Sequence, residues 1–600
     1  MTFYPTKLYC CQICTKKIED LVDKTALIKS LKEPEDKIGE PSPIRGNKFS
    51  HLSLEDFKET GDESLAWESF EKKLSAYSFL KYLVQENDIH VDLPGLKTFL
   101  SYSETDTEKS EFCSIAVLDE TADSKATVLK TLNILHKKFQ IGIKLQYLVV
   151  VGDGKSYDHL IKLKSEYGGS LSWVLPYPGD WHILKNVLPI FMKIYYDAGL
   201  KELALKYHKG ATLKSKFSMS HSFLLHMWEA MFRLQIELFF KSRSSDKILD
   251  FQKELEEVIN IVLRNTEQAE APNTCTWENI LDLKTQFEGT VQNFKDDFLA
   301  WREHSSNVSD TFKFWDTFIH VDFMSYLGLY LAIRSRDWDL RNASLKKLCC
   351  LFYAFDRHNY MRMIPYHLAD LSTFPKGVLE HFRTGCFSVS LSGASFYSVA
   401  LDEAHEMEIN LKTKKAINTY SQTSLAAFTA YLPYRAETMH NLKSQLELEK
   451  GDNHKRKDTA VGFIKEEEKT IRMYIDKLRV SSLFVTNIGK TLCHLFTQSE
   501  ASPPQAESLL SYRELGMEDM KNQRLSRACI VHLVIKKNNW SYVKTMSWSG
   551  SHLAITINIK NTKFVKELPM IDAQFRFNQC NSFREEYISA FSPYGPVLIL

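Results

Sequence analysis

Between residues 112 and 195 the chain alternates between two hydrophobic periods. FCSIAVL (112–118) is a short apolar run closed by Asp119, and Leu145–Val151 is another, ended by Gly152-Asp153. A third, Leu171–Leu175, runs into Pro176, Pro178 and Gly179-Asp180. Runs of this length without polar alternation read as strands buried on both faces. Between them, Val128, Leu129, Leu132, Leu135 and Phe139 recur at helical spacing, as do Leu160, Ile161 and Leu163 before Gly168-Gly169. A further helix is expected from Trp181 through Ile194. The order strand–helix–strand–helix–strand–helix predicts right-handed crossovers and parallel strands, with Asp119, Asp153 and Asp180 together at one edge.

The texture then changes. Residues 200–345 carry long helical patterns, FLLHMWEAMFRLQIELFF (223–240) the most apolar, with Trp277, Trp301, Trp315 and Trp338 spread among them. Aromatics at helical spacing predict core, so Trp228 should be buried. LCCLFYAFDRHNYMRMIPYHLADL (348–371) predicts two helices, and 394–417 a helix rich in carboxylates. Residues 440–480 read as charged and helical, TQSEASPPQAESLL (497–510) as a linker, and the last 70 residues as a small β-containing tail. Residues 1–65 are polar and broken by Pro and Gly, with helical spacing from Leu65 to Gln85. The class is mixed α/β, and 600 residues suit about three or four domains.

Composition narrows the picture. The chain is 44% apolar and 25% charged, as folded domains are. Lys+Arg 76 against Asp+Glu 75 leaves no overall field to draw it onto nucleic acid, so any DNA contact must use local patches. KELALKYHKGATLKSKF (201–217), with five lysines and one glutamate, is the nearest such stretch. No uncharged apolar run approaches about 18 residues, which argues against a membrane partner. The start has no signal-peptide layout, and eleven scattered cysteines suit a reducing compartment. A nuclear location is expected, with the cytoplasm as the other choice. Cys11 and Cys14 make a C-x2-C, half of a zinc site that lacks its second pair of ligands.

The chemistry gathers at the strand ends. VVVGDGKS looks like a phosphate loop, but Val149 stands where that loop needs its first glycine. Carboxylates at adjacent strand ends can instead hold Mg²⁺ or Mn²⁺, hard ions that take oxygen ligands. A late helix offers Glu403, Glu406 and Glu408, the first two on one face. Gly-Asp at a strand end is also ordinary turn and capping chemistry. His182, two residues after Asp180, should point toward the same edge as a metal ligand, a phosphate contact or a packing residue, with Lys185 and Asn186 one turn on.

These residues also carry a resemblance. GDWHILKNV is similar to the D-x-H-x-x-K-N stretch of P-element and THAP-type transposases. The Asp153-to-His182 spacing resembles the D…C-x-x-H pattern of Mutator-like and hAT transposases, although GDWH, with Asp180, lacks the cysteine of that pattern. LVVVGD, PGDWHILKN, FDRHNYMRMIPYHLADL, GCFSVS and ALDEAHEMEIN, in that order, make residues 90–420 look like a transposon-derived family of unknown function. The resemblance implies a ribonuclease-H-like sheet domain interrupted by a large helical insertion, with a DDE/D triad holding two Mg²⁺ or Mn²⁺. Asp153 matches the second acid and Glu406 the late helical acid. Asp119, 34 residues before Asp153, is the candidate first acid, with Asp88 and Asp92 the earlier alternatives. The implied layout is an N-terminal segment to residue 85, core over 86–195, insertion over 196–345, a return to the core over 346–430, and a tail from 431. DNA is the implied partner, with a homo-oligomer as one assembly. Two functions follow: metal-dependent DNA strand transfer, or a decayed or domesticated transposase acting as a non-catalytic DNA- or protein-binding module.

Overall fold

The computed structural model describes residues 57–86, 95–101, 109–110, 112–121, 124–207, 220–243, 295–357, 359–391, 393, 396–407, 442, 445, 461–481 and 491–527, together with strands 5–11, 532–537, 540–549, 552–559, 562–569 and 598–599. The chain is mixed α/β and mostly helical, with its strands in small sheets. In chain order the elements begin β1 (Pro5–Cys11), α1 (Gly61–Glu86), α2 (Leu96–Ser101), β2 (Phe112–Thr121) and α3 (Lys125–Lys138). Next come β3 (Leu148–Gly152), α4 (Gly154–Tyr167), β4 (Val174–Pro178), α5 (Asp180–Tyr195), α6 (Lys201–Tyr207) and α7 (Ser220–Lys241).

β3 and β4 form a parallel pair, Leu148 opposite Val174 and Gly152 opposite Pro178, joined through α4. β4 lies three residues beyond the expected Leu171–Leu175 and runs through both prolines. Trp173 O accepts from Leu148 N, and Gly179 N donates to Gly152 O. In a parallel ladder alternate residues face the neighbour, so the odd-numbered residues of β4 bond to β3. Pro176 and Pro178 fall at positions that need no N–H, as prolines in strands do.

The expected third parallel strand is a correction. β2 pairs antiparallel with β1 and is not hydrogen-bonded to β3, so the parallel sheet has two strands among the described residues. An apolar period specifies burial but not which strand lies alongside.

α3 and α4 cover the outer side of the pair, where Val128, Leu132 and Leu135 meet Leu148, Leu160, Leu163, Trp173 and Val174. α5 enters the main core with Ile183, Val187, Ile190 and Phe191 buried.

That core is helical. After residues 295–308, themselves helical, come α8 (Asp310–Thr317), α9 (Phe323–Ser335), α10 (Trp338–Ala354), α11 (Tyr360–Leu371) and α12 (Lys376–His381). The described residues of the 200–345 stretch are almost wholly helical, as their period predicts. Trp228 is fully buried, its indole donating to Ile319 O at 3.0 Å. α10 crosses the expected boundary at 345.

The chain then makes the hairpin β5 (Ser388–Ser390) and β6 (Ser398–Ala400), followed by α13 (Leu401–His405). Residues 398–400, expected as helix, are strand because they pair with 388–390. α13 lies against α5 and β3, and residues 408–417 of the expected helix lie outside the described residues. α14 (Val461–Arg479) packs on α7, where Arg233 meets both Glu229 and Glu468.

α15 (Pro503–Arg527) begins inside the expected linker. Ser502 and Gln505 explain the start: the Gln505 side chain accepts from Ser502 N at 3.3 Å, half of a capping box, with Pro503 tolerated in the first turn. β7 (His532–Lys537), β8 (Trp540–Ser549), β9 (His552–Ile559), β10 (Thr562–Pro569) and β11 (Leu598–Ile599) form the antiparallel tail sheet. No helix among the described residues is long and apolar enough to cross a membrane.

Candidate functional site

The C-terminal ends of β3 and β4 open toward α5, α11 and α13, and each strand-end aspartate meets a different donor. Asp153 caps α4: its Oδ1 accepts from Lys155 N at 3.2 Å and Ser156 N at 2.9 Å. The carboxylate therefore satisfies two amides that have no intrahelical acceptor. Asp180, the first residue of α5, is buried. Arg341 of α10 binds it through both oxygens, Nη2 to Oδ1 at 2.7 Å and Nε to Oδ2 at 3.0 Å, and Tyr177 Oη donates to Oδ2 at 2.8 Å.

Arg341 is itself fully buried. Its Nη1 donates to Asn342 Oδ1 and His367 Nε2, both at 2.9 Å, and its guanidinium lies 4.7 Å from the Tyr177 ring centroid and 5.0 Å from that of Trp338. Because His367 Nε2 accepts, its proton sits on Nδ1. Burial, then the neighbouring Arg341, hold that imidazole well below its ordinary range and neutral.

His182 follows Trp181 in the first turn of α5 and pairs with an acid that the sequence pattern did not single out. Asp402 of α13 reaches the N-terminus of α5, where Oδ1 accepts from Trp181 N at 3.2 Å and Oδ2 from His182 N at 3.0 Å. The same Oδ2 lies 2.9 Å from His182 Nδ1. The carboxylate fixes the ring with its proton on Nδ1 and directs Nε2 away from Asp402. Asn186 Nδ2 donates to His182 O at 2.8 Å, and Lys185 Nζ lies 4.5 Å over the Trp181 ring. Tyr360 of α11 completes the edge, with Asn186 hydrogen-bonded to its hydroxyl. Burial, then the charges of Asp153 and Asp402, push that phenol well above its usual range, so both carboxylates act on one hydroxyl.

Gly179 makes the Asp402 approach feasible. A Cβ there would stand 2.4 Å from Asp402 Oδ2 and 2.8 Å from its Cγ. Gly179→Ala is therefore expected to unseat Asp402 and cost about 1–3 kcal/mol, as overpacking does. Chemical denaturation gives the measurement, and a cost below about 0.5 kcal/mol would show that the approach is not tight.

The other expected site residues sit as follows. Glu403 pairs with Arg334 of α9 at 2.9 Å. Glu406 lies in the π-turn just past α13, and Glu408, Asp88 and Asp92 lie outside the described residues. Asp119 is on β2, which is not hydrogen-bonded to the parallel pair, and its side chain lies outside the described residues. Cys11 is on β1, its side chain likewise outside them, as is the whole of Cys14. Among the described residues no three His, Cys, Asp or Glu side chains come together as a metal site.

The chain belongs to a family of unknown function, DUF6589, whose match spans residues 93–455. That span takes in both strands of the parallel pair and the helices from α5 to α13. Neither a curated protein nor a solved structure matches it.

Proposed function

We propose that this member of the DUF6589 family is a transposase-derived protein that retains a ribonuclease-H-like strand edge and binds DNA without metal-dependent strand cleavage. The observation that carries this reading is the use made of the strand-end acids. A two-metal centre needs carboxylate oxygens turned toward shared cations. Asp180 instead gives both oxygens to Arg341, Asp153 caps a helix, and Asp402 takes two amides and an imidazole. This set does not fit Mg²⁺ or Mn²⁺. The DNA partner rests on the transposase resemblance and the lysines of 201–217.

Two measurements on the full chain test this. A site of Kd about 10 µM would stabilise the fold by about 2.7 kcal/mol at about 1 mM Mn²⁺, by mass action. At matched ionic strength the melting temperature is expected to stay unchanged, with random-sequence duplex DNA bound in a salt-dependent manner and supercoiled plasmid left intact. Mn²⁺-dependent nicking that disappears in Asp153→Asn would overturn the non-catalytic reading. Failure to bind duplex at low salt would move the partner from DNA to protein.

A further inference from the structure

Adjacent acids on α13 are held by two different parts of the molecule. Asp402 is seated on the N-terminus of α5, in the strand–helix unit. Glu403 is gripped by Arg334, near the end of α9 in the helical insertion, with Nη2 at 2.9 Å from Oε1 and 3.3 Å from Oε2. Arg334 also donates from Nη1 to Ser398 O of β6 at 3.0 Å, and its guanidinium lies 4.9 Å from the Tyr330 ring centroid. One arginine thus fixes both the strand entering α13 and the second acid of the pair. Glu403 reaches back to Ala400 N at 3.4 Å, which stiffens the same turn.

α13 has only five residues, anchored on its apolar side by buried Ala404 and half-buried Leu401. The polar contacts of Asp402 and Glu403 set how it is held on its other sides. We propose that α13 is a two-sided latch, through which Arg334 of the insertion positions Asp402 and so sets the orientation of His182. The coupling is short and physical: Arg334 to Glu403, one peptide unit to Asp402, then His182. A change in the insertion that moves the end of α9 pulls Asp402 from its seat and releases the imidazole from its carboxylate. This does not depend on the protein binding DNA or lacking catalysis.

The first amides of a helix have no intrahelical acceptor, so those of Trp181 and His182 report directly on the seat. Both donate to Asp402. Hydrogen exchange of the full chain, resolved to single amides by mass spectrometry with electron-transfer fragmentation, reads them. Asp402→Asn should speed both by about tenfold, the scale of a lost charge-assisted hydrogen bond. Glu403→Gln and Arg334→Met, which touch neither amide, should speed the same two by about threefold, with Arg334→Lys recovering part of the protection because it keeps the charge. Exchange within α3 and α4 serves as the folding control and should stay at the wild-type rate. Wild-type exchange at Trp181 and His182 in both Glu403→Gln and Arg334→Met, with α3 and α4 intact, would overturn the latch.

Discussion

Methionine in place of Arg341 is expected to destabilise the protein by about 3–5 kcal/mol, a large fraction of the stability of a typical domain. The guanidinium is fully buried, and its loss leaves the Asp180 carboxylate with only Tyr177 as a side-chain donor. Removing one member of a buried pair strands the other charge, which is why the single change is so costly. The same change frees His367 Nε2 and empties the space between the Tyr177 and Trp338 rings. Adding Asp180→Asn should return part of the loss, because the stranded charge is then gone. Arg341→Lys should fall between wild type and Arg341→Met, since one ammonium cannot match a two-pronged fork. Urea denaturation of the four proteins decides the matter. A loss under about 1 kcal/mol in Arg341→Met would mean that Asp180 is not ionised in the folded state, and would return it to consideration as a site acid.

The same residues show what the sequence could tell and what it could not. The β-branched run before Gly152-Asp153, and the helical spacings on either side, locate the parallel pair because period and burial are local properties. Trp228 is buried as its apolar neighbours predict. The partner of β2 was not legible, since alternation and apolar content say that a strand is covered but not by what. The start of α15 carries two opposed signals: Ser502, Pro503 and Gln505 are helix-start residues, whereas the Pro-Pro pair suggests a linker.

At the site, the strand-end positions of Asp153 and Asp180 follow from sequence, but their chemistry does not. Whether a strand-end aspartate faces a cation or an arginine depends on Arg341, 161 positions away along the chain. Helical spacing favours Glu403 and Glu406, which share a face, and gives Asp402 no such signal. Its selection comes from the missing Cβ of Gly179, a contact that exists only once the chain is folded.

Stability should fall steeply on mild acidification, before ordinary carboxylates titrate. Burial, then nearby Arg302, hold His320 well below its ordinary range; burial, then Arg341, do the same to His367. Burial, then Arg334 and His226, bring His221 down to about 4. His320 Nε2 meets Gln235 Oε1 at 2.7 Å and His221 Nδ1 meets Tyr326 Oη at 2.9 Å, so both are hydrogen-bonded inside the fold. Each folded pKa lies below the unfolded value of about 6.5, so below that pH the unfolded chain binds the extra protons. The neutral histidines therefore contribute their full stability above about pH 6.5 and lose it as the pH falls, for His221 until about 4. Each histidine contributes about 1.4 kcal/mol of loss between about pH 7.5 and 5.5. His221 retains some exposure and counts for less, so the three together give about 3–4 kcal/mol. Glu468 does not confuse the reading. Burial alone would raise it, but Arg233 and Lys81 hold it well below the usual carboxylate range. Its contribution is intact above the unfolded carboxyl pKa of about 4.3 and is lost only in stronger acid. Urea midpoints at pH 7.5, 6.5 and 5.5, at one ionic strength, give the slope. His221→Asn should flatten it by up to one proton while the other two histidines keep theirs. A midpoint constant across that range would mean that His320 and His367 titrate normally, and that water reaches both rings in the folded protein.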